Sequence, residues 1–273
     1  MLRLENNDGW TIVTHPDHAH LAGQFASAWG NELFASPEPR AHVLRGIYAH
    51  DDGWAARDAK PVITREGKPA AFSTELVGAY SAFEEIDLAA YLAVRREAVQ
   101  LIAREDPYAA ILISMHTYNL LSARADRNTI RPDHLPWLDA FLVEQLTLQR
   151  ALRDQLLAER TLGEDVLSPE KLNSNFRLLQ ACDNLSLLAC VDYVGPATLL
   201  WPLPLRDGSS SEVTVQHIAP QTFRLAPYPF VTPQLTCKLR SRYIPGKVFA
   251  SSQELQQKFS AAIPQETTIR ITA

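Results

Sequence analysis

Apolar positions in this chain form helical stripes through most of its length and short alternating runs towards both ends. Leu2 and Leu4 alternate with polar residues, Asn7-Asp8-Gly9 offers a turn, and Trp10 to Val13 returns. That pattern predicts a β-hairpin over residues 1–14. Helical stripes follow over residues 16–29 and 39–52, the first opened by Pro16 and stopped at Gly30, the second stopped at Gly53. Residues 55–85 carry Pro61, Gly67, Pro69 and Gly78 and read as a long irregular loop. A loop of that length in a compact domain is usually functional or mobile. Further helices are expected over 86–104, 108–122, 137–160 and 168–193, the last with Ser168 as N-cap and Pro169 in its first position. Beyond Gly195 prolines break the helical pattern. Short strands are read at 212–218, 222–225, 234–243 and 267–272, with a turn at Asp207-Gly208 and a helix at 251–262. The fold class expected is mainly α: a helical bundle with a small β-rich C-terminal part able to pair with the N-terminal hairpin. The division expected is a helical domain over 1–195 and a β-rich extension over 196–273.

Several stripes are interrupted by residues that ligate metals. With about 100° per residue, His18 is central on the stripe of Ala22, Phe25 and Trp29, whereas His20 lies on the opposite face. His15 precedes that helix and reads as a capping residue. His50 shares a stripe with Val43, Gly46 and Ile47, and Asp51 is one step round. His116 is flanked on its face by Ala109, Leu112 and Leu120. Asp183 sits among Leu172, Phe176, Leu179, Leu187 and Cys190. A carboxylate on a core-facing stripe needs a partner, because burying an unpaired charge costs several kcal/mol or more. A divalent metal supplies one, and an imidazole and carboxylate set suits Fe, Mn, Co, Ni or Zn, as one ion or two. An ion pair with Arg177 or Arg45 is the structural alternative for Asp183. The helix over 86–104 is assigned packing alone, and His134, in a polar loop over 124–136, is a weaker ligand candidate.

Composition narrows the setting. The chain has 273 residues, 46% of them hydrophobic, and a formal net charge of −5. That charge argues against a nucleic-acid footprint, which would be basic and clustered. Cys182, Cys190 and Cys237 show no metal-type spacing and no disulfide framework, which fits a reducing cytoplasm. No stretch of about 18 apolar residues reads as a membrane span, and the first residues do not read as a signal peptide. The long helix over 137–160 is a candidate surface for a homodimer.

The order His18, His50-Asp51, Asp183 resembles that of the HD-domain superfamily of metal-dependent phosphohydrolases. In that superfamily an early histidine, an adjacent His-Asp pair at a helix end and a late aspartate bind the metal. The resemblance spans roughly residues 14–193. The stretches around His18, His50 and His116, "HAHLAGQFASAWG", "YAHDDGW" and "SMHTYNLL", are also similar to an uncharacterised bacterial family, domain of unknown function 3891. The glutamate that follows the His-Asp pair in one nucleotidase branch is absent, since Trp54, Ala55 and Ala56 stand there. The resemblance implies a metal-dependent hydrolase acting on a small anionic substrate, a phosphoester first. Asp51 and His116 are then the candidate catalytic residues, His18, His50, Asp51, Asp183 and His116 the candidate ligands, and Trp54, Arg57 and Lys60 the candidate substrate contacts. A diiron oxygenase and a non-catalytic, metal-stabilised binding protein are the alternatives.

Overall fold

The computed structural model describes residues 1–71 and 87–273. Two strands, β1 (Leu2–Glu5) and β2 (Gly9–Val13), form the opening hairpin. Helices α1 (His15–Ala28) and α2 (Arg40–Ala49) follow, then the short α3 (Ala55–Asp58). Four longer helices come next: α4 (Leu88–Ala103), α5 (Pro107–Ala123), α6 (Leu135–Glu159) and α7 (Pro169–Cys190). The rest of the chain supplies β3 (Ala197–Thr198), β4 (Leu203–Pro204), β5 (Ser210–Ser211), β6 (Thr214–Ala219), β7 (Thr222–Ala226), β8 (Gln234–Pro245), α8 (Ser252–Ala261) and β9 (Pro264–Thr272). No helix among the described residues is long and apolar enough to cross a membrane.

The expectation of a mainly α bundle with a small β-rich appendage is overturned. Seven strands join in one sheet, ordered β1-β2-β8-β9-β7-β6-β3. β2 runs antiparallel to β8, with Trp10 opposite Ile244, and β7 runs parallel to β9. Both ends of the chain therefore contribute to a single sheet. Local periodicity shows most of the strands but not the β2–β8 pairing, which links residues more than 200 positions apart. The sheet is also a wall of the main core. Cys237, Leu239, Ile269 and Ile271 from β8 and β9 share one cluster with Phe25 of α1, Ile111 of α5 and Leu179 of α7. Burying a side chain of that size contributes about 1.5–3 kcal/mol. A second cluster, with Trp10, Ile12, Ile244, Phe249, Leu255 and Phe259, joins the hairpin to α8.

The helix starts follow their local chemistry. Thr14, Asp87, Asp106 and Ser168 each accept a backbone N–H in the first turn of the helix they open. Gly53 behaves differently from expectation. α2 ends at Ala49, and the chain continues through a 3-10 turn over Asp52–Trp54 directly into α3. Gly53 is not a helix stop but a point of close approach. A Cβ there would lie 2.3 Å from Ala98 Cβ and 3.3 Å from Val94 O on α4. Replacing an unconstrained glycine by alanine commonly stabilises by about 0.4–1 kcal/mol through the unfolded chain. Gly53→Ala should instead destabilise, by roughly 1–3 kcal/mol, because α4 must shift to admit the methyl group. Chemical denaturation measures it, and a midpoint at or above that of the parent protein would contradict the packing argument.

Candidate metal centre

Four helices and one turn deliver the interrupting residues to one place. The phase of α1, set by its Thr14 cap, turns His18 inward with Ala22 and Phe25 and leaves His20 exposed, edge-on to the Tyr48 ring. His50 follows α2 with helical backbone angles (φ −59°, ψ −23°), and Asp51 departs from them (φ −123°, ψ 16°). That change of direction lets two adjacent side chains both point into the core. His116 comes from the most apolar helix, α5, and Asp183 from the middle of α7. His18, His50, Asp51, His116 and Asp183 are all buried, none above 7% exposed. Two overlapping sets, His18 with His50 and Asp51, and His50 with His116 and Asp183, place candidate ligand atoms within 4.8 Å of one another.

Hydrogen bonds decide which ring atoms face inward. His50 Nδ1 lies 2.8 Å from the Ile47 carbonyl, which can only accept, so Nδ1 carries the proton and Nε2 turns to the cluster. There Nε2 is 3.3 Å from Asp183 Oδ1 without the alignment of a hydrogen bond. Ser186 Oγ donates to the Asp183 carbonyl at 2.7 Å, which leaves its oxygen to accept from His18 Nδ1 at 3.0 Å. His18 Nε2 then faces Asp51 Oδ2 at 3.0 Å. His116 Nε2 stands 3.9 Å from Asp183 Oδ2, and its Nδ1 has no hydrogen-bond partner among the described residues. Protonated Nδ1 atoms held by carbonyl or hydroxyl oxygens, with Nε2 atoms converging, are the usual outer-shell arrangement of ligating histidines.

The spacing fits an ion. Two donors each about 2.1 Å from one metal lie about 3.0–3.4 Å apart at octahedral to tetrahedral angles. The His18–Asp51 and His50–Asp183 pairs, at 3.0 and 3.3 Å, match that range. The charges are consistent with it too. Burial works against a charge on His50, but Asp183 and Asp51 outweigh it and raise its pKa to about 9. A proton on His50 thus takes the role of a cation between the carboxylates. Burial also opposes ionisation of Asp51, yet Arg95 and His18 hold it well below the usual carboxylate range. Asp183 is likewise lowered, its burial outweighed by His50. His116, by contrast, is pulled down to about 4 by burial and is neutral at ordinary pH.

Arg95 is the residue that sequence reasoning missed. It is buried on α4 and donates from Nη1 to Asp51 Oδ1 at 2.6 Å. Its position on the stripe of Leu88, Leu92 and Val99 is the same kind of interruption that singled out His18 and Asp183, so the signal was present. The ion pairs weighed for Asp183 do not form: Arg45 pairs with Glu105, and Arg177 reaches the Pro202 carbonyl. His15 is not a cap either. Thr14 caps the helix, and His15 meets Asp58 through both its backbone N–H and its ring, at 2.6 and 3.0 Å. His134 stacks on Trp137 and belongs to neither ligand set.

The expected substrate contacts separate. Trp54 is buried, stacked on His15 at 4.9 Å, with the Arg95 guanidinium 5.0 Å and that of Arg57 5.4 Å from its ring. Arg57 and Lys60 are exposed and make no hydrogen bond or ion pair with the five inward residues. Residues 61–71 turn away to the second cluster, where Ile63 and Ala71 pack. The remainder of the long loop expected over 55–85, residues 72–85, lies outside the described residues.

A family model described as "Protein of unknown function (DUF3891)" matches residues 1–246. The chain belongs to the DUF3891 family. The match takes in every residue of the cluster, from His18 to Asp183, and extends into the sheet as far as Gly246. No curated protein and no solved structure matches the chain. Membership of DUF3891 carries no reaction, so the chemistry has to be argued from the cluster.

Proposed function

We propose that this protein is a metal-dependent hydrolase that acts on a small anionic substrate, with a phosphoester as the first class to test. The observation that carries the reading is the fixed orientation of His18 and His50, whose Nδ1 atoms are held from outside while their Nε2 atoms meet Asp51 and Asp183. His18, His50, Asp51 and Asp183 would hold the ion. The order of these four is that of the HD phosphohydrolases, a likeness of ligand order rather than of architecture. A bound divalent ion supplies a water of lowered pKa and a charge that polarises a phosphoryl oxygen.

The chain's own residues supply the rest. Asp51, fixed by Arg95 on one oxygen, would present the other to the ion and so position the water that the ion binds. His116 is neutral, and its Nδ1 has no hydrogen-bond partner among the described residues, so it would serve as a proton acceptor beside the ion. Arg57 and Lys60, exposed beyond Trp54, are the first two cations after Asp51 in the sequence and are offered as contacts for the anion.

Elemental analysis of the purified protein, followed by reconstitution and a phosphoester panel, tests this. A stoichiometric transition metal and turnover that disappears on chelation are expected. Protein that takes up no metal after reconstitution with Mn, Fe, Co, Ni or Zn would end the reading. Full occupancy without turnover on any phosphoester would favour the metal-stabilised binding protein instead.

A further inference from the structure

The cluster offers five ligands in two overlapping sets that share His50, an arrangement that by ligand count alone suits one ion or two. What separates these possibilities is the state of Asp51. A carboxylate that joins two metal ions through both of its oxygens needs both of them open to cations. Asp51 Oδ2 is, since it faces His18 Nε2. Asp51 Oδ1 is taken, at 2.6 Å, by Arg95 Nη1.

Arg95 is not placed to swing aside. Its guanidinium lies 5.0 Å from the Trp54 ring centroid and 5.4 Å from that of Tyr91, and its Nε donates to the Tyr91 hydroxyl at 3.3 Å. Trp54 is itself packed between His15 and Tyr91, with ring centroids 4.9 and 5.2 Å away. Gly53, one residue earlier, lets this turn sit against α4 at Ala98, one turn beyond Arg95. The guanidinium is therefore held against two adjoining aromatic rings, with a carboxylate at one end and a phenol at its side. An arginine keeps its charge under all ordinary conditions and binds carboxylates strongly in such surroundings.

We propose that this centre holds one metal ion and not two, because Arg95 occupies the place beside Asp51 Oδ1 that a second cation would take. The proposal rests on the metal-binding reading above and refines it: the ion sits among His18, His50, Asp51 Oδ2 and Asp183, and His116 is left free for proton transfer. It separates the hydrolase from the diiron alternative, which needs two ions bridged by a shared group.

Mn(II) is the probe. Protein stripped with chelator is titrated with Mn(II) and the bound ion counted by elemental analysis after gel filtration, alongside electron paramagnetic resonance of the loaded sample. The wild type should bind one Mn(II) per chain and show an isolated-ion spectrum. Arg95→Met removes the charge while keeping much of the apolar stem, and it should bind a second Mn(II), with spin coupling between the pair. Arg95→Lys keeps a cation and should stay at one. Two coupled ions in the wild type would overturn the proposal yet leave metal binding intact, whereas no ion at all would overturn the parent reading. A well-folded Arg95→Met protein that still binds one ion would show that Arg95 is not what limits the count. If neither variant folds, the wild-type count and spectrum decide by themselves.

Discussion

Asp183→Asn should abolish the response of thermal stability to chelator. In the wild type a metal that binds only the folded state stabilises it by about 2.7 kcal/mol when present at a hundredfold excess over its dissociation constant. For a chain of this size that is a loss of roughly 5–10 °C in melting temperature on chelation. The substitution preserves the shape of the side chain and removes its charge. Asp183 lies 3.3 Å from His50, 3.7 Å from His18 and 3.9 Å from His116, so no other carboxylate can take over its place between the three rings. The variant should therefore melt at nearly the same temperature with and without chelator. In the absence of metal it should melt at or below the metal-free wild type, because the partner that favours a charge on His50 has gone. Differential scanning calorimetry of both proteins, with and without chelator, gives all four values. An equal chelator response in the two proteins would remove Asp183 from the ligand set, and a wild type indifferent to chelator would remove the metal.

His18→Ala should empty the centre, and His20→Ala should leave it full. The two histidines are two positions apart on α1 yet point in opposite directions: His18 is 1% exposed and meets Asp51 and Ser186, while His20 is exposed against Tyr48. Loss even of an outer partner of a ligating histidine typically weakens metal binding 10–100-fold. Loss of the ligand itself should lower the affinity roughly 100-fold or more, while His20→Ala should change it less than about twofold. Competition with a chromophoric chelator measures both. A His18→Ala protein that stays folded, by circular dichroism, and retains parent affinity would show that His18 only pairs with Asp51 and does not bind the ion.

Much of the cluster was legible because of a simple physical conflict. A polar side chain on a stripe of Leu, Ile and Phe must either be satisfied in the core or prevent the helix from packing, and helical geometry alone shows where its stripe lies. His18, His50, His116 and Asp183 all stood out in that way, and all four are buried together. Arg95 met the same criterion and was passed over, because a long basic side chain on an amphipathic helix is more often explained by its apolar stem lying along the core while its head reaches water. Here the head is buried as well, and only the approach of the turn at Asp51 explains it. The His15–Asp58 pair gave no such signal, since both residues lie at the ends of elements, where polar side chains are unremarked.

The sequence by itself determined where the helices and most of the strands lie, since caps, prolines and periodicity act within a few residues. It also determined which side chains point inward, because the angle between positions on one helix is a local property. What only the tertiary structure decided was which elements meet. The hairpin at one end of the chain joins β8 near the other, turning a presumed appendage into a seven-stranded wall of the core. Asp183 meets three histidines from three other elements rather than the arginines that local reasoning offered it. Asp51 meets an arginine 44 positions further on. Such contacts depend on closing long loops and on the packing of whole faces, and no window of neighbouring residues contains them.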